Sequence, residues 1–383
     1  MKSQLFLSAV CALLLALSVS CGRRPGSGEG PLVLDIASAV GAGEVSEPVC
    51  GDMFEVVGWT TIGTEDSTLL AYPQIFGYKD GDIYLYDGMS ETFFRVRERD
   101  GKILSRFCRK GRGPGEYVSL GTACLDGARD MILASDVSMN RILAYTPEGR
   151  YLPEYSRDSL IGAAVLADGN ILALNPMDLD LLYAGTGQAG TCYDIYDTEW
   201  NLIRRGTVMQ NAKRSFMIGY PDPVRSIDGE CYYLPFRSDT LYRVTADADI
   251  PMLVFDKGRY TMSDEAYMNT ETMVSTGPWI SDANMDTQII GPYAFVSFYV
   301  TSGLYCTQVW DMRDGKLVYA ASSEDSRRPG FRLKSDGVEL SVSPSFVVDG
   351  EIFSILDYGD AVKLVPDLDA DANPVILHLR YKE

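Results

Sequence analysis

Asp80-Gly81 stands just ahead of Ile83-Tyr84-Leu85-Tyr86, and the same arrangement returns five times further along the chain. Asp126-Gly127 precedes Met131-Ile132-Leu133-Ala134, and Asp168-Gly169 precedes Ile171-Leu172-Ala173-Leu174. Asp228-Gly229 precedes Cys231-Tyr232-Tyr233-Leu234, a degenerate Gly291-Pro292 precedes Ala294-Phe295-Val296-Ser297, and Asp349-Gly350 precedes Ile352-Phe353-Ser354-Ile355. Each unit is too small to bury its own apolar face, so like units must stack on one another.

Each turn-and-strand unit continues in a similar way. In the first, Thr92-Phe93-Phe94-Arg95-Val96 follows a polar turn, and Lys102-Ile103-Leu104 follows Asp100-Gly101. In the second, Arg141-Ile142-Leu143-Ala144-Tyr145 is followed by Glu148-Gly149 and then Arg150-Tyr151-Leu152. Thr240-Leu241-Tyr242-Arg243-Val244, Thr307-Gln308-Val309-Trp310 and Ala361-Val362-Lys363-Leu364-Val365 are the matching segments of units four to six. Alternation, β-branched and aromatic enrichment and short Gly turns predict antiparallel meanders. Four-stranded meanders arranged radially are the blades of a β-propeller.

The expected fold is therefore all-β, a six-bladed propeller of four-stranded antiparallel blades over residues 31–383. Residues 52 to 72 are strand-like yet precede the first motif, and Pro374 to Tyr381 form one more strand at the far end. Pairing of N- and C-terminal strands in one blade would close the ring and remove its exposed edges. A seven-bladed ring is the competing count, since residues 31 to 72 hold more chain than one closing strand needs. Residues 205 to 222 and 258 to 290 read as insertions, the second with a short helix around Ser263 to Met268.

Residues 1–20 read as a signal peptide: Lys2 is its only charge, Leu5 to Leu17 is apolar, and small residues lead to Cys21. The apolar run is short for a membrane span. Ser18-Val19-Ser20-Cys21 resembles the lipobox of bacterial lipoproteins, with Ser18 where the pattern usually has Leu, and the resemblance implies lipidation at Cys21. Residues 21–30, rich in glycine, read as a flexible tether. Arg23 and Arg24 stand where surface-exported lipoproteins of Bacteroidetes carry acidic residues. The resemblance thus implies an outer-membrane anchor facing the periplasm rather than surface display.

The formal net charge is −19, and loss of the signal makes it more negative. Such a chain repels phosphate backbones and anionic headgroups, which excludes nucleic acid as a partner and leaves membrane contact to the lipid. Beyond Cys11 and Cys21 the cysteines are 50, 108, 124, 192, 231 and 306, with no C-x-x-C pair, so a structural zinc site is not expected. The compartment permits disulfides, but pairing is not legible, and buried free thiols are the simpler expectation.

The loop Gly111-Arg112-Gly113-Pro114-Gly115-Glu116-Tyr117, with Arg237-Ser238-Asp239-Thr240-Leu241-Tyr242-Arg243-Val244 further on, resembles the six-bladed β-propeller lipoproteins of Bacteroidetes. These are relatives in shape of NHL-repeat and TolB-like propellers. The resemblance covers roughly residues 50 to 380 and implies fold and location more than function.

Catalytic signals are sparse. His378 is the single histidine, and a lone histidine in a terminal strand reads as structural. Neither Ser–His nor Cys–His hydrolysis is supported, and a multi-histidine metal site is excluded by count. Asp367-Leu368-Asp369-Ala370-Asp371 opens like a calcium loop, but Ala372 and His378 stand where such a loop needs Gly and Glu. It reads as a solvated acidic turn, as Arg327-Arg328-Pro329-Gly330 reads as a solvated basic loop. The Gly111–Tyr117 loop lacks the Lys and Ser/Thr of a P-loop and reads first as a blade connector. If it has a ligand role, Arg112, Glu116 and Tyr117 are the side chains expected at the funnel mouth.

The function expected is a non-catalytic binding or scaffold module of the envelope, monomeric and without cofactor. Its ligand would be a protein, peptide or glycan, met by a rigid loop platform and some of the 23 tyrosines. The alternative is a hydrolase or lyase using carboxylates, with or without calcium, in the central funnel.

Overall fold

The computed structural model describes residues 30–41, 53–64, 69–175, 190–191, 193–206, 208–209, 224–235, 238–263, 265–266, 269–281, 285–324, 329–335 and 337–382. The signal peptide, most of the tether, Cys21, Cys50, Cys192, Arg237 and the Arg327-Arg328 pair lie outside the described residues.

Six antiparallel four-stranded sheets form a ring. The innermost strands, in blade order, are Pro73–Lys79, Leu120–Asp126, Gly162–Val165, Val224–Ile227, Asp286–Ile290 and Phe346–Val348. The turn dipeptide lies between the innermost strand and the second, except in blade two where Asp126 ends the innermost strand, and so marks one end of the central channel. Asp80 and Gly81 have φ of 53° and 80°, Asp228 and Gly229 of 51° and 74°, Asp349 and Gly350 of 52° and 73°. Two successive positive φ values match the right-handed twist of a two-residue hairpin, and Asp followed by Gly adopts them at low cost.

The second strands explain why the motif was conspicuous. Asp82–Asp87 and Met131–Asp136 are buried at every position. A strand covered on both faces by neighbouring blades has no polar side to show and reads as a continuous apolar run. Phe93, Tyr117 and Tyr145 fill the seam between blades one and two, and Leu133, Ile142, Ile171 and Trp200 the next. Leu172, Tyr193, Cys231 and Tyr233 pack blade three on four.

Ring closure follows the expected scheme. Phe54–Thr61 pairs antiparallel with Val375–Tyr381 and becomes the outermost strand of blade six. The count is six blades. Residues 69 to 72, expected as strand-like, belong to no strand, and their one backbone–backbone bond given by the structure is from the Gly88 N–H to the Tyr72 carbonyl (2.9 Å). Leu70 instead donates its N–H to Asn373 Oδ1 (2.8 Å), and Asn373 Nδ2 donates to the Gly63 carbonyl (2.8 Å). Asn373 is buried, so one side-chain amide satisfies groups that a ladder would otherwise pair.

Leu32–Leu34 adds a fifth strand to blade four, parallel to Asp249–Phe255. Gln308 Nε2 donates to the Ile36 carbonyl (2.9 Å) and Trp310 Nε1 donates to Gln308 Oε1 (3.0 Å). With Leu34 and Ile36 fully buried, residues 32 to 36 are fastened at blades four and five, in the same core cluster as the closing-strand residues Leu377 and Leu379.

Two strand assignments are corrected. Residues 361 to 365, expected as a strand, belong to a helix, Tyr358–Leu364. Asp357 caps it by accepting from the Asp360 N–H (2.9 Å), Asp360 Oδ2 accepts from the Ser341 N–H (3.1 Å), and Ala361 is buried. Cap and packing outweigh the β preference of Val362 and Val365. In blade two residues 150 to 152 do pair antiparallel with the third strand, but only as a bridge at Tyr151, because Pro153 has no N–H to continue a ladder and opens a 3-10 turn; the outer strand resumes as Arg157–Asp158. In the 258 to 290 insertion Glu265 and Ala266 are helical, near the predicted site, and a second helix, Thr270–Thr276, follows with Asn269 as its cap.

Candidate functional site at the mouth of the central channel

Every innermost strand begins at one face of the ring and ends at its turn dipeptide on the other. At the starting face the six strands enclose a cavity of about 160 Å³. The polar side chains lining it are Gln74, Thr122, Arg225, Ser226, Gln288 and Ser345, drawn from blades one, two, four, four, five and six. Phe76, Tyr86, Phe346, Leu174 and the small Ala163 and Ala164 supply the apolar wall. Phe76 is held edge-on against Phe93 (5.7 Å, 89°), which fixes its plane.

Arg225 is the one cation in this lining, and its charge is balanced locally. Its Nε donates to Asp286 Oδ1 on the neighbouring blade (3.0 Å), and Nη1 donates to the Val224 carbonyl (3.1 Å). At the opposite end, the inner hairpins of blades four and six meet across blade five. The Asp228 N–H donates to the Val347 carbonyl (2.9 Å), and the Gly350 N–H to Asp228 Oδ1 (3.1 Å). The mouth is thus a neutral hydrogen-bonding surface on a braced ring. Among the described residues no group of three or more His, Cys, Asp and Glu side chains converges as a metal site would require.

The Gly111–Tyr117 loop lies elsewhere, in the connection from blade one to blade two. Tyr117 is fully buried; its hydroxyl donates to the Glu91 carbonyl (2.6 Å) and accepts from the Arg109 N–H (3.0 Å). Burial pushes its phenol well above the ordinary range. Glu116 Oε2 accepts from the Gly113 N–H (2.8 Å) within the same loop, and the Glu116 carbonyl accepts from Arg141 Nη2 (2.6 Å). A Cβ on Gly115 (φ +70°) would lie 2.4 Å from Tyr151 Cγ, so the close approach itself demands glycine there. Arg112 is exposed. None of Arg112, Glu116 and Tyr117 lines the channel cavity, and two of the three spend their polar atoms on the connector.

His378 is buried where blade six meets blade one. Nδ1 lies 3.1 Å from Glu98 Oε1, Nε2 lies 3.0 Å from Thr60 Oγ1, and the ring packs on Phe353 at 4.8 Å. Tyr78 donates its hydroxyl to Glu98 Oε2 (2.5 Å), and Thr60 donates to the Glu98 carbonyl (2.7 Å). Burial lowers the imidazole pKa, opposed by the Glu98 and Glu351 charges. The neutral ring then donates from Nδ1 to Glu98. The network stitches the closing blade to blade one, and none of its residues lines the channel cavity.

Cys108 is an exposed thiol, Cys231 and Cys306 are buried free thiols, and Cys124 is buried. Burial pushes Cys231 up to about 12 and Cys306 up to about 11. At Asp367 to Asp371 the contact is local: Asp369 Oδ1 accepts from the Asp371 N–H (3.1 Å), as in a solvated Asx turn.

The channel residues were not found by sequence reading, although a signal existed. Gln74, Thr122, Arg225, Gln288 and Ser345 each stand three to six positions ahead of a turn dipeptide. Those distances are both odd and even, so nearness to the turn marks the segment while alternation alone does not single out these side chains. The search for paired carboxylates and histidines passed over neutral amides and hydroxyls.

Comparison with known proteins places this architecture. A candidate exported protein from Bacteroides fragilis superposes with a TM-score of 0.63 at 15% identity, covering 89% of this chain and 98% of its own. A DUF4221-family protein from Bacteroides vulgatus gives 0.51 at 11% identity, covering 87% and 99%. At such identities the likeness is one of fold. No curated protein matches the chain. The family model described as domain of unknown function DUF4934 matches residues 32–380, a span that runs from the parallel edge strand of blade four to the closing strand of blade six. The chain therefore belongs to the DUF4934 family.

Proposed function

We propose that this protein is an exported binding module of the cell envelope that takes its ligand at the channel mouth without chemically changing it. One observation carries the reading: five inner strands bring neutral amide and hydroxyl side chains to one cavity, around an arginine already neutralised by Asp286. Such groups orient a ligand through hydrogen bonds, but glutamine, serine and threonine do not move protons near neutral pH. The rigid ring around them keeps the ordering cost of binding low. The ligand belongs to the protein, peptide or glycan classes, and a lipid on Cys21 would hold the module at the outer membrane, facing the periplasm.

Capture from envelope extracts with wild type and a Gln74→Ala/Gln288→Ala double variant tests the function. A partner or ligand retained by wild type and lost by the variant is expected. Turnover of a glycan or lactone panel by the wild type, abolished by chelator, overturns the reading. Metabolic labelling with a fatty-acid analogue, lost in Cys21→Ala, tests the anchor, and protease shaving of intact cells tests its orientation.

A further inference from the structure

We infer that the channel mouth accepts a single neutral, hydroxylated six-membered ring, a pyranose unit. The inference rests on the proposed binding role of that mouth and names the chemistry of its ligand.

Size comes first. A buried cavity of roughly 150 Å³ holds one benzene ring, and the channel cavity measures about 160 Å³. That is room for one ring within the mouth, and any larger ligand would project from it into solvent.

Polarity comes next. Gln74 and Ser226 are exposed and Thr122 and Gln288 half-buried, so an apolar ring seated there would seal them from water without pairing them, at a cost of up to about 1–3 kcal/mol for each group it fully covers. Each amide offers two donors and one acceptor oxygen, and each hydroxyl offers one donor with acceptor lone pairs. Ring hydroxyls also donate and accept, so they pair with every one of these groups. The groups come from four different blades, around the ring rather than on one side of it. A ligand with hydroxyls around its circumference suits that layout better than one with a single polar end.

Charge narrows the class further. A carboxylate or phosphate would have to compete with Asp286 for Arg225. A cation would find no carboxylate free of a cationic partner in the lining. The aromatic walls Phe76, Tyr86 and Phe346 complete the match, because the C–H face of a pyranose is apolar and packs on an aromatic plane.

The test is saturation-transfer NMR, with affinity by calorimetry, on the purified protein. The probes are glucose, galactose, N-acetylglucosamine and myo-inositol, with acetate, glycylglycine and benzyl alcohol as controls. Saturable transfer to at least one pyranose is expected, weakened about 3- to 10-fold in Gln288→Ala and in Gln74→Ala, as loss of one hydrogen bond implies. Gln74 is exposed, so its variant is free of a folding defect, which a thermal midpoint checks. No transfer to any pyranose, or transfer that neither variant weakens, overturns the inference. If acetate, glycylglycine or benzyl alcohol binds instead and is lost in the variants, the pyranose assignment fails while the mouth keeps its binding role. If wild type and double variant capture the same material from envelope extracts, the binding role fails as well.

Discussion

Substituting His378 by alanine tests the stitch between the closing blade and blade one. The substitution removes the Nδ1–H donated to the Glu98 carboxylate, a bond to a charged acceptor worth about 1.5–3 kcal/mol; the Thr60 hydroxyl gives its one proton to the Glu98 carbonyl, so the neutral Nε2 adds no second bond. Water reaches Glu98, which is 27% exposed on its side chain, and recovers part of that loss. The expected loss is about 1–3 kcal/mol at pH 7.5, read as a shift in urea midpoint at unchanged slope. The loss depends on pH in a definite direction. Burial lowers the folded pKa of His378 below its unfolded value near 6.5. The unfolded chain therefore takes up the proton first as pH falls, so the stabilisation present above about pH 6.5 is lost on acidification. Between pH 7.5 and 5.5 the gap between wild type and His378→Ala should shrink by up to about 1.4 kcal/mol, one proton over one pH unit. The chain holds one histidine, so untagged protein gives a single imidazole resonance to titrate directly. A gap that widens on acidification, with an imidazole protonated at pH 6.5, would refute the reasoning: Glu98 would then outweigh burial.

Three further outcomes follow from the packing. Tyr117→Phe leaves the Glu91 carbonyl and the Arg109 N–H without their shared hydroxyl and should destabilise by about 1–3 kcal/mol, with ligand capture at the mouth unchanged. Gly149→Ala places a Cβ 2.3 Å from Phe107 Cγ at φ +86°; strain and overpacking together should cost about 2 kcal/mol or more by chemical denaturation. Under native conditions at pH 8, iodoacetamide should modify Cys108 and leave Cys231 and Cys306 untouched, since the latter are buried with pKa values near 12 and 11. Peptide mapping reads this outcome, and rapid labelling of Cys231 would contradict its burial.

The blade count, the strand order within blades and the ring closure were readable from the chain because each depends on local rules repeated six times. A turn with positive φ closes the first hairpin in each blade, through both Asp and Gly in blades one, four and six and through Asp130, Gly169 or Gly291 in the others, and a second strand covered on both faces becomes an apolar run whichever neighbours cover it. Where a local rule met a competing one, sequence reading failed: Val362 and Val365 favour a strand, yet the Asp357 cap and the burial of Ala361 make residues 358 to 364 a helix. The site was the least legible part. Gln74, Thr122, Arg225 and Gln288 lie far apart in the chain, and each alone is an ordinary polar residue on an alternating strand. Only closure of the ring aims them at one axis and sets Arg225 beside Asp286 of the next blade. Likewise the sequence shows that His378 is single, but the burial, the Glu98 contact and the neutral ring are properties of a seam that exists only once residues 54 to 61 and 375 to 381 have met. Local periodicity is written along the chain; the chemistry of a shared axis comes from side chains that long-range pairing brings together.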